Sequence, residues 1–255
     1  MLAWFTQKER DMKKQLTVQQ RLIVAADFKP DETGRQGAYC SVIGLAEQLQ
    51  GSGVTIKVNS ILRAFGYELI EQLHACGLRV FADLKLYDIG ETLATDGALL
   101  REFKPELLTV CCDAGVDAMS RLKDMLPDTE VLGITVLTSL TNEDLRAQGQ
   151  TIEEKALANA FLAKAAGIDG LICSPKEVYA LRTMFGDTFT HNCPGVRFAS
   201  QQVAGDDQNQ DRVATPAGAI RAGADRIVMG RPIVQADNPL DAVKQALDDI
   251  SSALI

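Results

Sequence analysis

The run Arg79-Val80-Phe81-Ala82-Asp83-Leu84-Lys85-Leu86-Tyr87-Asp88-Ile89 decides the fold. Residues Arg79–Leu84 read as a short strand, apolar in the middle and charged where it ends. By the two-residue period of a strand, Phe81, Asp83 and Lys85 share one face, Ala82 and Leu84 point the other way, and Asp88 follows in the adjoining loop. Seven further runs repeat the pattern of a short apolar strand followed by a longer helix-patterned segment: Leu22–Ala26, Val54–Val58, Leu107–Val110, Val131–Val136, Gly170–Cys173, Thr188–His191 and Arg226–Met229. Alternating βα units of this kind build a parallel sheet. Eight of them in a chain of 255 residues suit a closed (β/α)8 barrel, whose usual length is ~250 residues, better than an open sheet. The expectation is an α/β protein, a single TIM-barrel domain spanning residues 1–255. Residues 1–20 read as a short helical N-terminal extension with Trp4 and Phe5 as its apolar anchors.

Composition agrees and removes several functions. Hydrophobic residues make up 46% and charged residues 24% of the chain, the balance of a globular protein rather than a disordered one. Lys and Arg number 26 against 34 Asp and Glu, a net charge of −8, so the basic excess that nucleic-acid binding needs is missing. A small anionic substrate would require a locally positive pocket built against that field. The cysteines Cys40, Cys76, Cys111, Cys112, Cys173 and Cys193 show no C-x-x-C pairing and read as reduced thiols. His74 falls in a helix-like run, Tyr67 to Ala75, and His191 at the end of a strand-like one; both read as structural. With no other histidine, neither a His-rich metal site nor a Ser-His-Asp triad is expected. No run approaches the ~18 apolar residues of a membrane span, and the N-terminal MLAWFTQKERDMKKQ is too polar for a signal peptide, which points to a cytoplasmic protein with no membrane association.

Barrel enzymes place their chemistry at the C-terminal ends of the strands. Here the first three strand ends all carry charge: Asp27 on the first, sharing a face with Ile23 and Ala25; Lys57 on the second, beside Thr55; Asp83 and Lys85 on the third. Burying such ions is expensive unless they are paired, and these alternate in sign. The set reads either as an ion-pair cluster capping the barrel or as a catalytic row, and three strands delivering charge to one place favour the row. A Schiff-base lysine fits poorly, because flanking carboxylates keep a lysine protonated; such a lysine suits proton donation instead. After the eighth strand, Gly230-Arg231-Pro232-Ile233 puts a glycine and a forked cation where barrels commonly bind phosphate. The polar stretch Ala199–Asp211 reads as a long loop of functional type.

From Leu22 to about Ile233 these residues resemble the orotidine 5'-phosphate decarboxylase family, most specifically in the D-x-K-x-x-D-I signature at Asp83–Ile89. The resemblance implies a catalytic set of Lys85, Asp83, Asp88 and Lys57, in an obligate homodimer where Asp88, Ile89 and Thr92 reach into the partner's site. It further implies that Asp27 binds the ribose and that Thr138, in Thr135–Ser139, reads the pyrimidine edge. Pro194 and Arg197, in Cys193-Pro194-Gly195-Val196-Arg197, would open the phosphate loop, and Gly230 and Arg231 would complete the phosphate site. Gln210, six residues before Pro216, would span phosphate and base when that loop shuts, with Gln201, Gln202 and Gln208 as rivals for the place. Departures are small: A-A-D-F where A-L-D is more usual, and G-V-R for G-I-R, neither of which changes a chemical group.

The reaction implied is decarboxylation of orotidine 5'-phosphate to UMP in de novo pyrimidine synthesis, with no metal and no organic cofactor. Lys85 would stabilise the charge developing at C6 and then protonate it, Asp83 would crowd the substrate carboxylate, and the remote phosphate would supply binding energy that closes the loop. Two other readings stand beside this one. Magnesium-dependent sugar-phosphate decarboxylases and synthases of the same superfamily carry a carboxylate where this chain has Lys57, since a divalent cation needs oxygen ligands. A non-catalytic nucleotide-binding barrel would be expected to have lost part of the charged row or Gln210.

Overall fold

Eight parallel strands close on themselves in sequence order: β1 (Leu22–Ala25), β2 (Thr55–Val58), β3 (Arg79–Leu86), β4 (Leu107–Cys111), β5 (Glu130–Ile134), β6 (Gly170–Ile172), β7 (Thr190–Cys193) and β8 (Arg226–Met229), with β8 pairing back onto β1. This computed structural model describes residues 16–30, 32–201 and 214–254. The expected extension is therefore seen only from residue 16, where a single 3-10 turn, Gln19–Arg21, leads into β1; Trp4 and Phe5 lie outside the described residues, as do Gln202, Gln208 and Gln210 of the expected loop. Around the barrel run α1 (Gly34–Gln48), α2 (Ser60–Phe65), α3 (Glu68–Ala75), α4 (Gly90–Phe103), α5 (Val116–Met125), α6 (Asn142–Leu145), α7 (Ile152–Ala165), α8 (Pro175–Phe185), α9 (Pro216–Arg221), α10 (Arg231–Val234) and α11 (Pro239–Ala253). Among the described residues no helix is long and apolar enough to cross a membrane.

Local chemistry explains the starts of these helices. Thr151 and Glu154 close a capping box on α7, and Ser174 and Glu177 do so on α8, where Pro175 occupies the first turn and needs no N–H partner. Asn238 accepts from the amides of Leu240 and Asp241 ahead of Pro239 on α11.

Side chains alternate in and out as the strand period requires. Leu22, Val24, Ile56, Val58, Val80, Ala82, Leu108, Val110, Ile227 and Met229 face outward and pack under the helices in one continuous apolar layer. Ile23, Ala25, Phe81, Leu107, Leu132 and Val228, with Ile172, face inward and fill the middle of the barrel. Each fully buried aliphatic side chain contributes about 1.5–3 kcal/mol, so the larger outer layer carries most of the stability.

Below the apolar middle lies a polar floor. Arg226 grips Glu130 with both arms, at 2.7 and 2.8 Å, and reaches Asn192 Oδ1 at 3.1 Å, while the Thr190 hydroxyl donates to Glu130. Burial pushes the Glu130 carboxyl up, but Arg226 more than reverses this and holds it below its usual range. A Cβ on Gly170 would stand 2.1 Å from Thr190 Oγ1, so only glycine leaves room for the hydroxyl that completes the floor.

Three strands depart from the sequence reading. β7 runs Thr190–Cys193 rather than Thr188–His191, because the Thr188 amide and hydroxyl both bond Phe185 O in the turn leaving α8. His191 is thus the second residue of β7 and fully buried, its Nδ1 3.5 Å from Asp225 Oδ2; His74 lies on α3 with Nε2 3.2 Å from Glu106 Oε2. β5 starts one residue early, at Glu130, and ends at Ile134, and β3 runs on to Leu86 through an irregularity described below. The remaining strands agree to within a residue at each end. All six cysteines are free thiols. Of the expected loop, Ala199–Gln201 forms a 3-10 turn, and Val196, before the loop, bridges to Ala214, after it.

Candidate active site

The first three strands bring their terminal charges into one chain of contacts. Lys57 Nζ, on a side chain only 8% exposed, lies 2.9 and 2.8 Å from the two carboxylate oxygens of Asp27 and 3.1 Å from Asp83 Oδ2. Lys85 Nζ reaches the same Asp83 Oδ2 at 2.6 Å, and the Thr109 hydroxyl donates to Asp83 Oδ1 at 2.8 Å. Both interior ions are therefore paired, which offsets the desolvation that would otherwise expel them. Burial pushes the Asp83 carboxyl up, but Lys57 and then Lys85 outweigh it and hold the group below its usual value. Burial likewise pushes Lys57 down, and Asp83 and Asp27 more than reverse that, leaving its ammonium harder to deprotonate than a free lysine.

Period-two reasoning correctly put Phe81, Asp83 and Lys85 on one face, with Ala82 and Leu84 on the other, and missed only the irregular backbone that carries Lys85. The β3–β4 ladder pairs Ala82 with Leu108 and next pairs Leu86 with Val110, so three residues of β3 face Thr109 alone. Lys85 takes φ +51°, in the left-handed region. Its amide donates to Thr109 Oγ1 at 3.0 Å, the Leu84 carbonyl accepts from Arg63 at 2.6 Å, and the Lys85 carbonyl accepts from Cys111 Sγ at 3.5 Å. The bulge inserts two residues and so keeps the alternation, while giving Lys85 the backbone from which its ammonium meets Asp83.

A cavity of about 750 Å³, within the usual range for small-molecule sites, opens above the apolar middle. Its lining includes Asp27, Lys57, Asp83 and Lys85 from the first strands, Thr138 after β5, Pro194 and Arg197 after β7, and Gly230 and Arg231 after β8. Gly195, at φ +78°, lets the chain turn sharply between Pro194 and Arg197 at the rim. Among the described residues, five lining side chains are basic (Lys29, Lys57, Lys85, Arg197 and Arg231) and two acidic (Asp27 and Asp83), a local excess of positive charge within a chain of net charge −8. An excess of positive charge in a cavity attracts anions, and the base of this one is apolar, formed by Phe81, Ile134, Ile172 and Val228. Among the described residues, no group of three His, Cys, Asp or Glu side chains is arranged to hold a metal ion. Lys57 takes the place a cation would need between Asp27 and Asp83.

The sequence-predicted set divides here. Nine of its members line the cavity; Asp88, Ile89 and Thr92 do not. Asp88 is exposed and accepts from the amide of Ile89, itself 71% exposed, and Thr92 is half-buried on α4. Gln210 lies outside the described residues. Sequence reasoning missed Thr109, Asn59 and Lys29. Thr109 had a signal: it is the polar inward residue in the apolar run Leu107-Leu108-Thr109-Val110. Asn59 lines the cavity while capping α2 through the amide of Ser60.

Comparison with known proteins points the same way. The profile of the family described as orotidine 5'-phosphate decarboxylase / HUMPS matches residues 20–246. An orotidine 5'-phosphate decarboxylase of Saccharophagus degradans is 33% identical over 240 residues, covering 91% of this chain and 96% of its own. One from a Methylobacterium species is 36% identical over 249 residues, covering 95% and 100% respectively. The crystal structure of orotidine 5'-phosphate decarboxylase from Lactobacillus acidophilus superposes with a TM-score of 0.73 at 29% identity, covering 91% of this chain and 99% of that one.

Proposed function

This chain belongs to the orotidine 5'-phosphate decarboxylase / HUMPS family, and on that premise we propose that it is a carbon–carbon lyase converting orotidine 5'-phosphate to UMP and carbon dioxide, a cytoplasmic step of pyrimidine synthesis. The observation that carries the reading is the chain of contacts Asp27–Lys57–Asp83–Lys85 along one side of a cavity that also holds Arg197 and Arg231. The substrate phosphate is read as lying against Arg231, Gly230 and Arg197, the ribose as meeting Asp27, and the pyrimidine edge as meeting Thr138. Its C6 carboxylate then faces Asp83 and Lys85.

In the chemical step the bond from C6 to the carboxylate breaks, carbon dioxide leaves, and the electron pair stays on C6. The Lys85 ammonium stabilises that pair and then transfers its proton to C6; water restores the proton to Lys85. Asp83, held ionised by Lys57 and Lys85, raises the free energy of the substrate carboxylate before it leaves. Lys57 keeps Asp27 and Asp83 compatible at close range. No metal is invoked, since an ammonium already balances the carboxylates where a divalent ion would need them as ligands.

Asp88, Ile89 and Thr92 are read as serving the site of a second copy in a homodimer, and the exposure of Asp88 and Ile89 away from their own cavity supports this. Gln210 is read as closing over phosphate and base. The test is the fall in ultraviolet absorbance of orotidine 5'-phosphate on adding purified protein in excess EDTA, with UMP identified as product. Turnover is expected without added metal. Inactivity with EDTA restored by magnesium would reassign the chain to sugar-phosphate chemistry, and UMP binding without any turnover would make it a nucleotide-binding barrel.

A further inference from the structure

We infer that Thr109 is a positioning residue for the decarboxylation, one hydroxyl holding both the Asp83 carboxylate and the Lys85 backbone in register. The inference rests on the decarboxylase reading of the site. Thr109 is 1% exposed and absent from the cavity lining, so it acts through its neighbours and not on the substrate.

The argument begins with the sheet. Between the pairs Ala82–Leu108 and Leu86–Val110, the residues Asp83, Leu84 and Lys85 have a single partner on β4, Thr109. A bulge of this kind leaves backbone groups without ladder partners, and buried ones need substitutes. The hydroxyl of Thr109 supplies one, accepting from the Lys85 amide at 3.0 Å, and spends its single proton on Asp83 Oδ1 at 2.8 Å. With Oδ1 so occupied, Oδ2 is turned to receive both ammonium groups, Lys57 at 3.1 Å and Lys85 at 2.6 Å. Lys85 at φ +51° is a conformation that a non-glycine residue keeps only where its surroundings impose it. One side chain on β4 thus sets where the proton donor begins and where the carboxylate beside it points.

Valine at 109 would match the shape of threonine and leave the Lys85 amide and Asp83 Oδ1 without that partner; serine would keep it. Thr109→Val is therefore expected to lower kcat by between about tenfold and a hundredfold, the range spanned by hydrogen bonds to charged groups. KM and the affinity for UMP should stay within about twofold on the same reasoning, since Thr109 bonds Asp83 and Lys85 and lines neither the phosphate nor the ribose position. Thr109→Ser should recover most of the loss. A second readout is independent of turnover: the carboxyl carbon of Asp83 is followed by NMR against pH. Asp83 faces Lys57 on β2, Lys85 on its own strand and Thr109 on β4, with Asp27 beyond Lys57, and only Thr109 changes in the variant. Its titration midpoint should move up in Thr109→Val and return in Thr109→Ser. An unmoved midpoint, a kcat within twofold of wild type, or a kcat loss shared equally by UMP affinity or not recovered by serine would overturn the proposal. If the wild-type protein turned over no orotidine 5'-phosphate, the functional reading would fail separately, and a positioning role in that reaction would fall with it whatever the midpoint shows.

Discussion

Replacing Lys57 with methionine keeps a side chain of similar length and removes the ammonium that separates Asp27 from Asp83. In the native protein Nζ sits 2.8 Å from one carboxylate and 3.1 Å from the other. Removing one partner of a buried pair typically costs about 3–5 kcal/mol; because Lys85 and Thr109 still contact Asp83, the lower end, about 3 kcal/mol, is expected at pH 7. For a chain of this size that lowers Tm by roughly 6–12 °C. Far-UV circular dichroism is the suitable probe, since the single tryptophan is Trp4 in the N-terminal segment. The pH dependence tests the cause. Asp83 is depressed in the native protein, so its stabilisation is present above the unfolded carboxylate pKa and is lost as pH falls through the lower folded value. Without Lys57 the carboxyl moves back up, and the variant takes a proton at a pH where the native protein does not. The Tm gap should then narrow between about pH 7 and pH 4. Lys57 itself is raised, so its share is complete below the ordinary lysine range and lost only as pH rises beyond it. A gap under about 3 °C at pH 7, or one that widens on acidification, would refute the view that Lys57 compensates a buried charge.

Three further outcomes are expected. Lys85→Ala should nearly abolish decarboxylation while UMP still binds, because Arg197 and Arg231 stand elsewhere in the cavity; near-normal turnover in a folded variant would remove Lys85 as proton donor. Arg231→Ala should weaken UMP and orotidine 5'-phosphate at least tenfold, as loss of a charge-assisted contact of ~1.5–3 kcal/mol requires, and uridine far less; equal losses would place Arg231 away from the phosphate. Lys85→Ala and Asp88→Asn, each impaired alone, should recover about a quarter of wild-type sites when mixed and exchanged, since half the dimers are then mixed and each holds one intact site. Verified exchange with no recovery would show that Asp88 works within its own chain.

Much of this protein was legible in one dimension because its decisive signals are local. Strand alternation depends only on the two-residue period of extended backbone, so Ile23, Ala25, Lys57, Phe81 and Asp83 could be assigned to the interior from spacing alone. Arg226–Met229 was read at its observed limits for the same reason. The capping pairs Thr151–Glu154 and Ser174–Glu177 are equally local signals, three residues apart in the sequence. What required the folded chain were contacts between distant segments. Spacing cannot show that Glu130 and Arg226, 96 positions apart, meet across the barrel floor, or that Arg63 on α2 grips the Leu84 carbonyl. Nor can it show that β3 slips against β4 at a bulge where Lys85 adopts a left-handed backbone. Register is a property of two strands, set by which side chains and backbone groups find partners across the gap, and no single run of residues contains it. The charged row was written in the sequence; its geometry, and the Thr109 hydroxyl that joins two of its members, were decided only when β4 closed beside β3.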